Sequence, residues 1–295
     1  MFFIWGISNL LDREAESILS NIYLKDEQGI IDGAGPIEVR REGKEAFIFI
    51  HGFMAYPSGF KETIEVLHQK RPDVDFYAPL LPYHGRGLRE AKKFNNRVIE
   101  AYVREFIKDK AQHYDKVYVV ASSYAGAILS KLLLEKDFPK NSIPVLQAPA
   151  LYLTKNTEKN RLKLIGISLF KSYCSAKILG CRRTPESVDA VGYEQEVLKP
   201  VLGNIVVPAV KELFAYQVHN QNNLKEIGRP YWIVMAPDDN QVSYDKVKAD
   251  CDKNKHCHLK IIPSGKHKFH WGAHKEIYWE FLSQLTKRRP YETSS

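Results

Sequence analysis

The sequence contains little cysteine. Its 295 residues include only four cysteines, and no two of them form a Cys-x-x-Cys pair: Cys174, Cys181, Cys251 and Cys257. This number excludes a small disulfide-stapled scaffold, although it leaves the redox state of the four open. His256 and His258 flank Cys257, but metal ligands need a defined spacing, and neighbouring residues on a strand point to opposite faces. We therefore expect no metal site there.

The sequence also lacks a hydrophobic run long enough to cross a bilayer, which takes ~20 residues. The apolar stretch at 1–11 reads Met-Phe-Phe-Ile-Trp-Gly-Ile-Ser-Asn-Leu-Leu and has no basic region or cleavage site of a signal peptide. Residues Asp12 to Leu24 have the apolar spacing of a helix. We expect this helix to dock on the core of a cytoplasmic protein; peripheral membrane contact through the N-terminus is the alternative.

Charge is not concentrated in one place. The 43 Lys and Arg residues exceed the 35 Asp and Glu residues and give a net charge of +8, but they are scattered along the chain. No nucleic-acid-binding motif, internal repeat or low-complexity segment is evident. The hydrophobic fraction of 44% is ordinary for a globular protein with a sizeable core. We expect no nucleic-acid partner, and the oligomeric state is left open.

Apolar runs alternate with amphipathic segments in the first half of the chain. The runs at 46–50, 75–80, 116–121 and 143–147 predict strands, because a continuous apolar run suits a strand buried on both faces. Helical spacing predicts helices at 58–70, 97–113 and 124–135. Strands resume at 231–235 and 259–262. This alternation predicts an α/β fold with a mostly parallel central sheet flanked by helices.

The alternation stops between residues 151 and 225, where the pattern is mainly helical. We interpret 151–225 as an inserted cap, 36–150 and 226–295 as two parts of one core, and 1–35 as a helical extension. Five apolar residues of the cap could line an acyl pocket or could simply pack the cap onto the core: Leu162, Leu164, Ile165, Leu169 and Phe170.

The strand at 116–121 runs into the next helix with almost no loop, through Ala-Ser-Ser-Tyr-Ala at 121–125. A tight strand-turn-helix can present a serine on a strained corner. The residues two before and two after that serine must be small, because the backbone folds back on itself. Ala121 and Ala125 meet this condition for Ser123, whereas the Val and Tyr that flank Ser122 are too large. The alternative is a serine that merely caps the helix.

Partners for this serine occur after later predicted strands. Asp239, with Asp238 as second candidate, follows the strand at 231–235. His267 follows the strand at 259–262, ahead of its rivals His270 and His274. The order Ser, Asp, His is that of the α/β hydrolases. An Asx turn and a surface histidine are the structural alternatives.

A His-Gly-Phe segment at 51–53 follows the first buried strand. Gly52 would let this loop approach another backbone closely, and Phe53 would then present its N–H group. The N–H of Tyr124, at the start of a helix, would be a second donor. Two such donors could stabilise an oxyanion.

Assembled, these segments resemble the α/β-hydrolase superfamily, and more narrowly its monoglyceride lipase, lysophospholipase and carboxylesterase group. The resemblance lies in His-Gly-Phe-Met-Ala-Tyr-Pro at 51–57, Ala-Pro-Leu-Leu-Pro-Tyr-His-Gly-Arg-Gly at 78–87 and Gln-Ala-Pro-Ala at 147–150, together with the Asp and His motifs. The sequence departs from the group where Ala121 and Ala125 replace the usual glycines. Tyr124 also replaces a Met or Gln, and Tyr83 replaces a glycine.

The resemblance implies a serine hydrolase that cleaves the carboxylic ester of a small molecule or lipid through an acyl-enzyme. Ser123 would be the nucleophile, His267 the base and Asp239 the residue that orients it, with Phe53 and Tyr124 forming the oxyanion hole. No metal or organic cofactor is required. Thioester or amide cleavage would use the same residues. A non-catalytic or acyl-transferring ligand-binding protein on the same scaffold is the alternative, motivated by the alanines.

Overall fold

A computed structural model describes residues 25–159, 173–174 and 205–286. The helix predicted at 12–24 and the five apolar cap residues lie outside these ranges. The described part of the N-terminal extension, 25–35, forms turns with an isolated bridge between Lys25 and Ile31. Within the described residues, no helix combines the length and the apolar character that crossing a membrane requires.

The described strands form one large sheet and one small ribbon. The strands are β1 (Ile37–Val39), β2 (Glu45–Ile50), β3 (Val74–Ala78), β4 (Lys116–Ser122), β5 (Ser142–Gln147), β6 (Tyr173–Cys174), β7 (Ile205–Val206), β8 (Tyr231–Met235) and β9 (Cys257–Ile261). The large sheet has the order β1-β3-β2-β4-β5-β8-β9, and β6 pairs with β7. Only β1 is antiparallel to its neighbour in the large sheet. The predicted, mostly parallel sheet is therefore confirmed.

Helices connect the strands. They are α1 (Lys61–Lys70), α2 (Leu88–Ala91), α3 (Asn96–His113), α4 (Tyr124–Leu132), α5 (Val207–Asn220), α6 (Asn223–Glu226), α7 (Tyr244–Cys251) and α8 (Lys275–Leu285). Short 3₁₀ turns occupy Pro57–Phe60 and Lys266–Lys268. The first of these precedes α1, so the helix predicted from residue 58 begins as a 3₁₀ turn with proline in its first turn.

Apolar side chains cover both faces of the sheet. Ile48 and Ile50 of β2 belong to a buried cluster with residues of α3, α4, α5 and α7. Phe47 and Phe49 point the other way, into a cluster with residues of α1 and α8. Successive strand residues alternate between faces, so strands covered on both sides must be apolar throughout. This arrangement explains the continuous apolar runs in the sequence.

Two elements, the strand β1 and the helix α5, differ from what the sequence pattern predicted. The edge strand β1 has only three residues and contains the exposed Glu38, so it carries no apolar run that would reveal it. Helix α5 lies within the segment predicted as a cap, yet Ala209 and Tyr216 on this helix join the buried cluster with α4. The boundaries of the cap stay a prediction.

Cys251 at the end of α7 and Cys257 at the start of β9 form a disulfide, with their Cα atoms 5.3 Å apart. Cys257 is therefore not available as a thiolate ligand beside His256 and His258. Among the described residues, no group of three or more His, Cys, Asp or Glu side chains could hold a metal ion. The bond joins the helix and the strand that precede His267.

Candidate active site

Ser123 occupies the sharp turn between β4 and α4, with φ 53° and ψ −112°. A residue other than glycine rarely adopts such angles, which cost ~1–3 kcal/mol and persist only where surrounding contacts hold them. The Ser123 N–H donates to the Gln147 carbonyl at 2.8 Å, and the Ser123 carbonyl accepts from Ala150 at 2.9 Å. The turn is thus held to the end of β5 by backbone hydrogen bonds on both sides of the serine.

The alanines at the two predicted small positions fit this turn. Ala121 and Ala125 are both fully buried, and Ser123 still adopts its left-handed angle. Gly126 is also closely packed: a Cβ atom there would lie 3.0 Å from the Pro149 Cα. The sequence rule of small residues two positions away from the serine did not identify this third position.

The loop after β2 packs directly against the serine. A Cβ atom on Gly52 would lie 3.0 Å from the Ser123 Cβ and 3.2 Å from the Ser122 carbonyl oxygen. The ring of the next residue, Phe53, packs edge-to-face against that of Phe94, with the ring centroids 5.3 Å apart. The loop that carries the Phe53 N–H therefore lies beside the serine. Tyr124, the other expected donor, is the first residue of α4, where N–H groups have no acceptor within the helix.

His267 reaches the serine from the loop that follows β9. Its Nε2 atom lies 2.9 Å from the Ser123 Oγ, across 144 positions of sequence. Only 9% of the imidazole is exposed. His267 lies in the 3₁₀ turn Lys266–Lys268, which follows Gly265 with φ 136°. The imidazole can accept the proton of the serine hydroxyl, provided that its other nitrogen keeps its own proton.

Asp239 holds that other nitrogen. The His267 Nδ1–H lies 2.9 Å from Asp239 Oδ2 and 3.1 Å from Oδ1, and the Asp239 side chain is fully buried. The Gln241 and Val242 N–H groups each donate to Oδ1 at 2.8 Å. These bonds fix the carboxylate, and the carboxylate fixes the ring so that Nε2 faces the serine.

Asp238 was the second candidate for the acid that orients His267. Among the contacts of the described residues, none joins Asp238 to the imidazole ring of His267. Its carboxylate accepts the N–H groups of Gly265 and Lys266, both at 3.2 Å, and its side chain is exposed. The two consecutive acids thus bind different parts of one loop: Asp239 binds the ring of His267, and Asp238 binds the backbone before it.

The two other candidate histidines, His270 and His274, occupy different positions in the fold. His270 is buried and its Nδ1 accepts a hydrogen bond from the Gln147 side chain at 2.6 Å, while Tyr278 donates to the other end of that amide. Burial, with smaller contributions from Lys268 and His267, lowers the pKa of His270 well below the usual value of 6.5. His274 is the N-cap of α8. Of the three, His267 is the one that lies within hydrogen-bonding distance of Ser123.

Two further histidines shape the loop at 51–54. His51 donates from Nδ1 to the Gly52 carbonyl and accepts the Leu81 N–H at Nε2, at 3.0 and 3.1 Å. His84 donates to the Pro82 carbonyl and accepts the Met54 N–H at 3.3 Å. Burial lowers the pKa of His84 to about 4 and that of His51 well below 6.5, so both are neutral at pH 7. Neutral imidazoles can donate and accept at once, which lets them tie the loop after β2 to the loop after β3.

Hydrogen bonds from the side chain of Tyr124 connect the helix that follows the serine, α4, to α3 and α5. The Tyr124 hydroxyl group donates to the Asn96 Oδ1 at 2.7 Å. The Asn96 side-chain amide in turn donates to both the carbonyl and the carboxylate of Glu212 on α5. Sequence reasoning missed Gln147, His84, Asn96 and Glu212. His84 and Gln147 had a local signal, since they lie in the segments at 78–87 and 147–150 that carried the resemblance.

Comparisons with known proteins agree with this architecture. A sequence profile described as "Alpha/beta hydrolase family" matches residues 47–278. No curated protein sequence matches the chain. Among solved structures, a metagenome-derived lipolytic enzyme described with LipS and LipT is similar over 88% of this chain and 100% of its own, with 17% identity and a TM-score of 0.67.

Two further structures show the same likeness. An esterase from Exiguobacterium antarcticum has 12% identity and a TM-score of 0.65, covering 86% of this chain and 95% of its own. A monoglyceride lipase from Saccharomyces cerevisiae has 12% identity and a TM-score of 0.64, covering 85% and 89%. At such identities the likeness shows the fold alone. Since the family profile spans well over half of the sequence, the chain belongs to the alpha/beta hydrolase family.

Proposed function

We propose that the protein is a serine hydrolase that cleaves carboxylic esters through an acyl-enzyme. The observation that carries this proposal is the continuous chain of hydrogen bonds from Ser123 Oγ to His267 and from His267 to Asp239, each 2.9 Å at its shortest. A serine hydroxyl is a weak nucleophile without a base, and a base needs an orienting partner. The three side chains come from three separate loops. Their alignment in one chain of hydrogen bonds is therefore not expected by chance.

In the first half of the reaction, Ser123 Oγ attacks the acyl carbon while its proton moves to His267 Nε2. The ester carbonyl becomes an oxyanion, which the N–H groups of Phe53 and Tyr124 stabilise. Asp239 stabilises the imidazolium that forms. The bond to the leaving alcohol then breaks, and His267 gives its proton to that alcohol.

In the second half, water takes the place of the alcohol. His267 removes a proton from the water as its oxygen attacks the acyl carbon, and a second oxyanion forms in the same place. The bond to Ser123 Oγ breaks, and His267 returns the proton to the serine. The products are one carboxylic acid and one alcohol, and the enzyme regains its initial state without a metal or cofactor.

The fit of the alanines supports catalysis over the non-catalytic alternative. The left-handed angle of Ser123 forms with Ala121 and Ala125 in place, and a scaffold that only binds ligands has no need of a strained serine aligned with a base. Retention of a ligand without turnover would favour the binding protein. Transfer of the acyl group to an added alcohol at the expense of hydrolysis would favour the acyltransferase.

The test is a series of p-nitrophenyl esters from acetate to palmitate. Wild type should release p-nitrophenol with saturation kinetics, and Ser123→Ala and His267→Ala should each lose ~10³-fold or more in kcat. The chain length of the best ester would show whether a lipid-like or a short acyl group is preferred. Ester turnover that persists in both variants would refute the proposal.

Contact between the apolar segment at 1–11 and a membrane surface is a separate proposal for a cytoplasmic, membrane-peripheral protein. Its basis is the sequence alone, because this segment lies outside the described residues. Co-sedimentation with anionic liposomes should decrease when residues 1–11 are deleted. Binding that the deletion leaves unchanged would remove the support for this contact.

A further inference from the structure

Asp238 binds the backbone of the loop that carries His267. Its Oδ2 accepts the Gly265 N–H and its Oδ1 accepts the Lys266 N–H, both at 3.2 Å. These two residues directly precede His267. Hydrogen bonds from N–H groups to a carboxylate are stronger than those to a neutral acceptor, so one side chain restrains two consecutive peptide units.

The peptide units that Asp238 binds lie in a strained turn. Gly265 has φ 136° and Lys266 has φ 53°, and a Cβ atom on Gly265 would lie 2.7 Å from both the Cα and the Cβ of Phe269. A non-glycine residue with positive φ relaxes unless neighbouring contacts hold it. Relaxation at Lys266 would rotate the chain at the residue next to His267 and would move its imidazole away from Ser123.

We propose that Asp238 is a positioning residue that sets the place of His267 relative to Ser123. This inference rests on the proposed function. Asp239 fixes the orientation of the imidazole, and Asp238 fixes the backbone from which the imidazole projects. The two acids are adjacent in the loop that follows β8, so one short loop determines the positions of both carboxylates. Because a displacement of ~1 Å can cost ~10²-fold in rate, restraint of this turn contributes to kcat.

The activity test compares Asp238→Ala, Asp238→Asn and Asp245→Asn, using the best p-nitrophenyl ester. Asp245→Asn is the control, because Asp245 is an exposed acid on α7 and its replacement removes the same charge. Asp238→Ala should lower kcat about tenfold with KM within twofold of wild type. Asp238→Asn should lie between wild type and Asp238→Ala, because an amide oxygen can accept only part of the two bonds. Concentrations of folded enzyme are taken from active-site titration.

A pH profile separates positioning from charge. Four charged side chains surround His267. Asp239 binds its ring, Asp238 binds the N–H groups of Gly265 and Lys266 before it, and Lys266 and Lys268 flank it in the same 3₁₀ turn. If Asp238 acts by position, the midpoint of the kcat/KM profile stays within about 0.3 pH units in Asp238→Asn. A kcat of Asp238→Ala within twofold of wild type, or a fall in kcat that a shifted midpoint fully explains, would overturn the proposal.

Hydrogen–deuterium exchange tests the same inference without any substrate. The Gly265 and Lys266 amides should exchange at least tenfold faster in Asp238→Ala than in wild type, with no change in Asp245→Asn. Unchanged exchange would overturn the positioning role even for an active enzyme. Faster exchange in a protein that cleaves no ester would instead place the failure in the proposed function.

Discussion

Gly52 lies directly against Ser123: a Cβ atom on residue 52 would be 3.0 Å from the Ser123 Cβ, closer than most Cβ contacts in proteins. The next N–H along the chain, that of Phe53, belongs to the proposed oxyanion hole. The position of this loop relative to the serine is thus set by the absence of a side chain at residue 52.

A methyl group at this position should reduce catalysis. We expect Gly52→Ala to lower kcat about 10²-fold, because either the oxyanion loop or the serine must shift to relieve the contact. Gly228→Ala is the matched control, since a Cβ atom at Gly228 meets no other atom within 4 Å. Steady-state kinetics with a p-nitrophenyl ester measures both. Equal kcat values for the two variants would contradict the close approach.

Removal of the charge on Asp239 should affect turnover more than stability. Asparagine presents a donor to the Nδ1 of His267, which favours the wrong tautomer and leaves Nε2 unable to accept the serine proton. We expect Asp239→Asn to lower kcat by ~10³–10⁴-fold at pH 7. Steady-state kinetics and circular dichroism measure the activity and the fold. A loss of activity below tenfold in a folded variant would exclude Asp239 as the orienting acid.

The hydroxyl group of Tyr124 should contribute to stability. Tyr124→Phe removes the hydrogen bond to the buried Asn96 and leaves its Oδ1 without this donor, which costs ~1–3 kcal/mol of unfolding free energy. Tyr102→Phe is the control, because Tyr102 is exposed on α3 and its change should stay within about 0.5 kcal/mol. Urea unfolding measures both. A Tyr124→Phe variant as stable as the control would show that this connection is not stabilising.

The buried histidines predict loss of stability in mild acid. Burial lowers the pKa of His84 to about 4, and burial lowers that of His51 and His270 well below 6.5. As the pH decreases below about 6.5, these histidines bind protons in the unfolded chain but not in the folded one. The free energy of unfolding therefore falls as the pH decreases from about 6.5 towards 4. The fall approaches ~1.4 kcal/mol per pH unit for each such group.

Urea unfolding at pH 7, 6 and 5 measures this fall. Replacement His84→Gln keeps a donor for Pro82 and an acceptor for Met54 but has no group that titrates in this range. Its stability should therefore depend less steeply on pH than that of wild type. An identical dependence in the two proteins would show that His84 is protonated in the folded state as readily as in the unfolded chain.

Residues whose placement follows from local pattern could be predicted from the sequence. Ser123 follows a continuous apolar run and is flanked by small residues, and Asp239 and His267 each follow a later run. Strand ends in a parallel sheet meet at one edge, so sequence order was enough to suggest that the three side chains lie together. The structure places them within hydrogen-bonding distance.

The contacts that hold these residues could not be predicted in the same way. Gln147 meets His270 across 123 positions, and Asn96 meets Glu212 across 116. Pairings of this kind depend on how separate helices and loops dock, which no local periodicity encodes. The Cys251–Cys257 disulfide also depends on how α7 ends beside β9, because four scattered cysteines do not define their own pairing.

The central claim is that Ser123 is a nucleophile activated by His267. A fluorophosphonate probe tests it most directly, since such probes react covalently with an activated serine and not with an ordinary one. Wild type should gain one phosphonyl adduct, which peptide mass spectrometry places on Ser123. Ser123→Ala should gain none, and His267→Ala should react far more slowly. Labelling of wild type that persists in Ser123→Ala, or that maps to another residue, would contradict the claim.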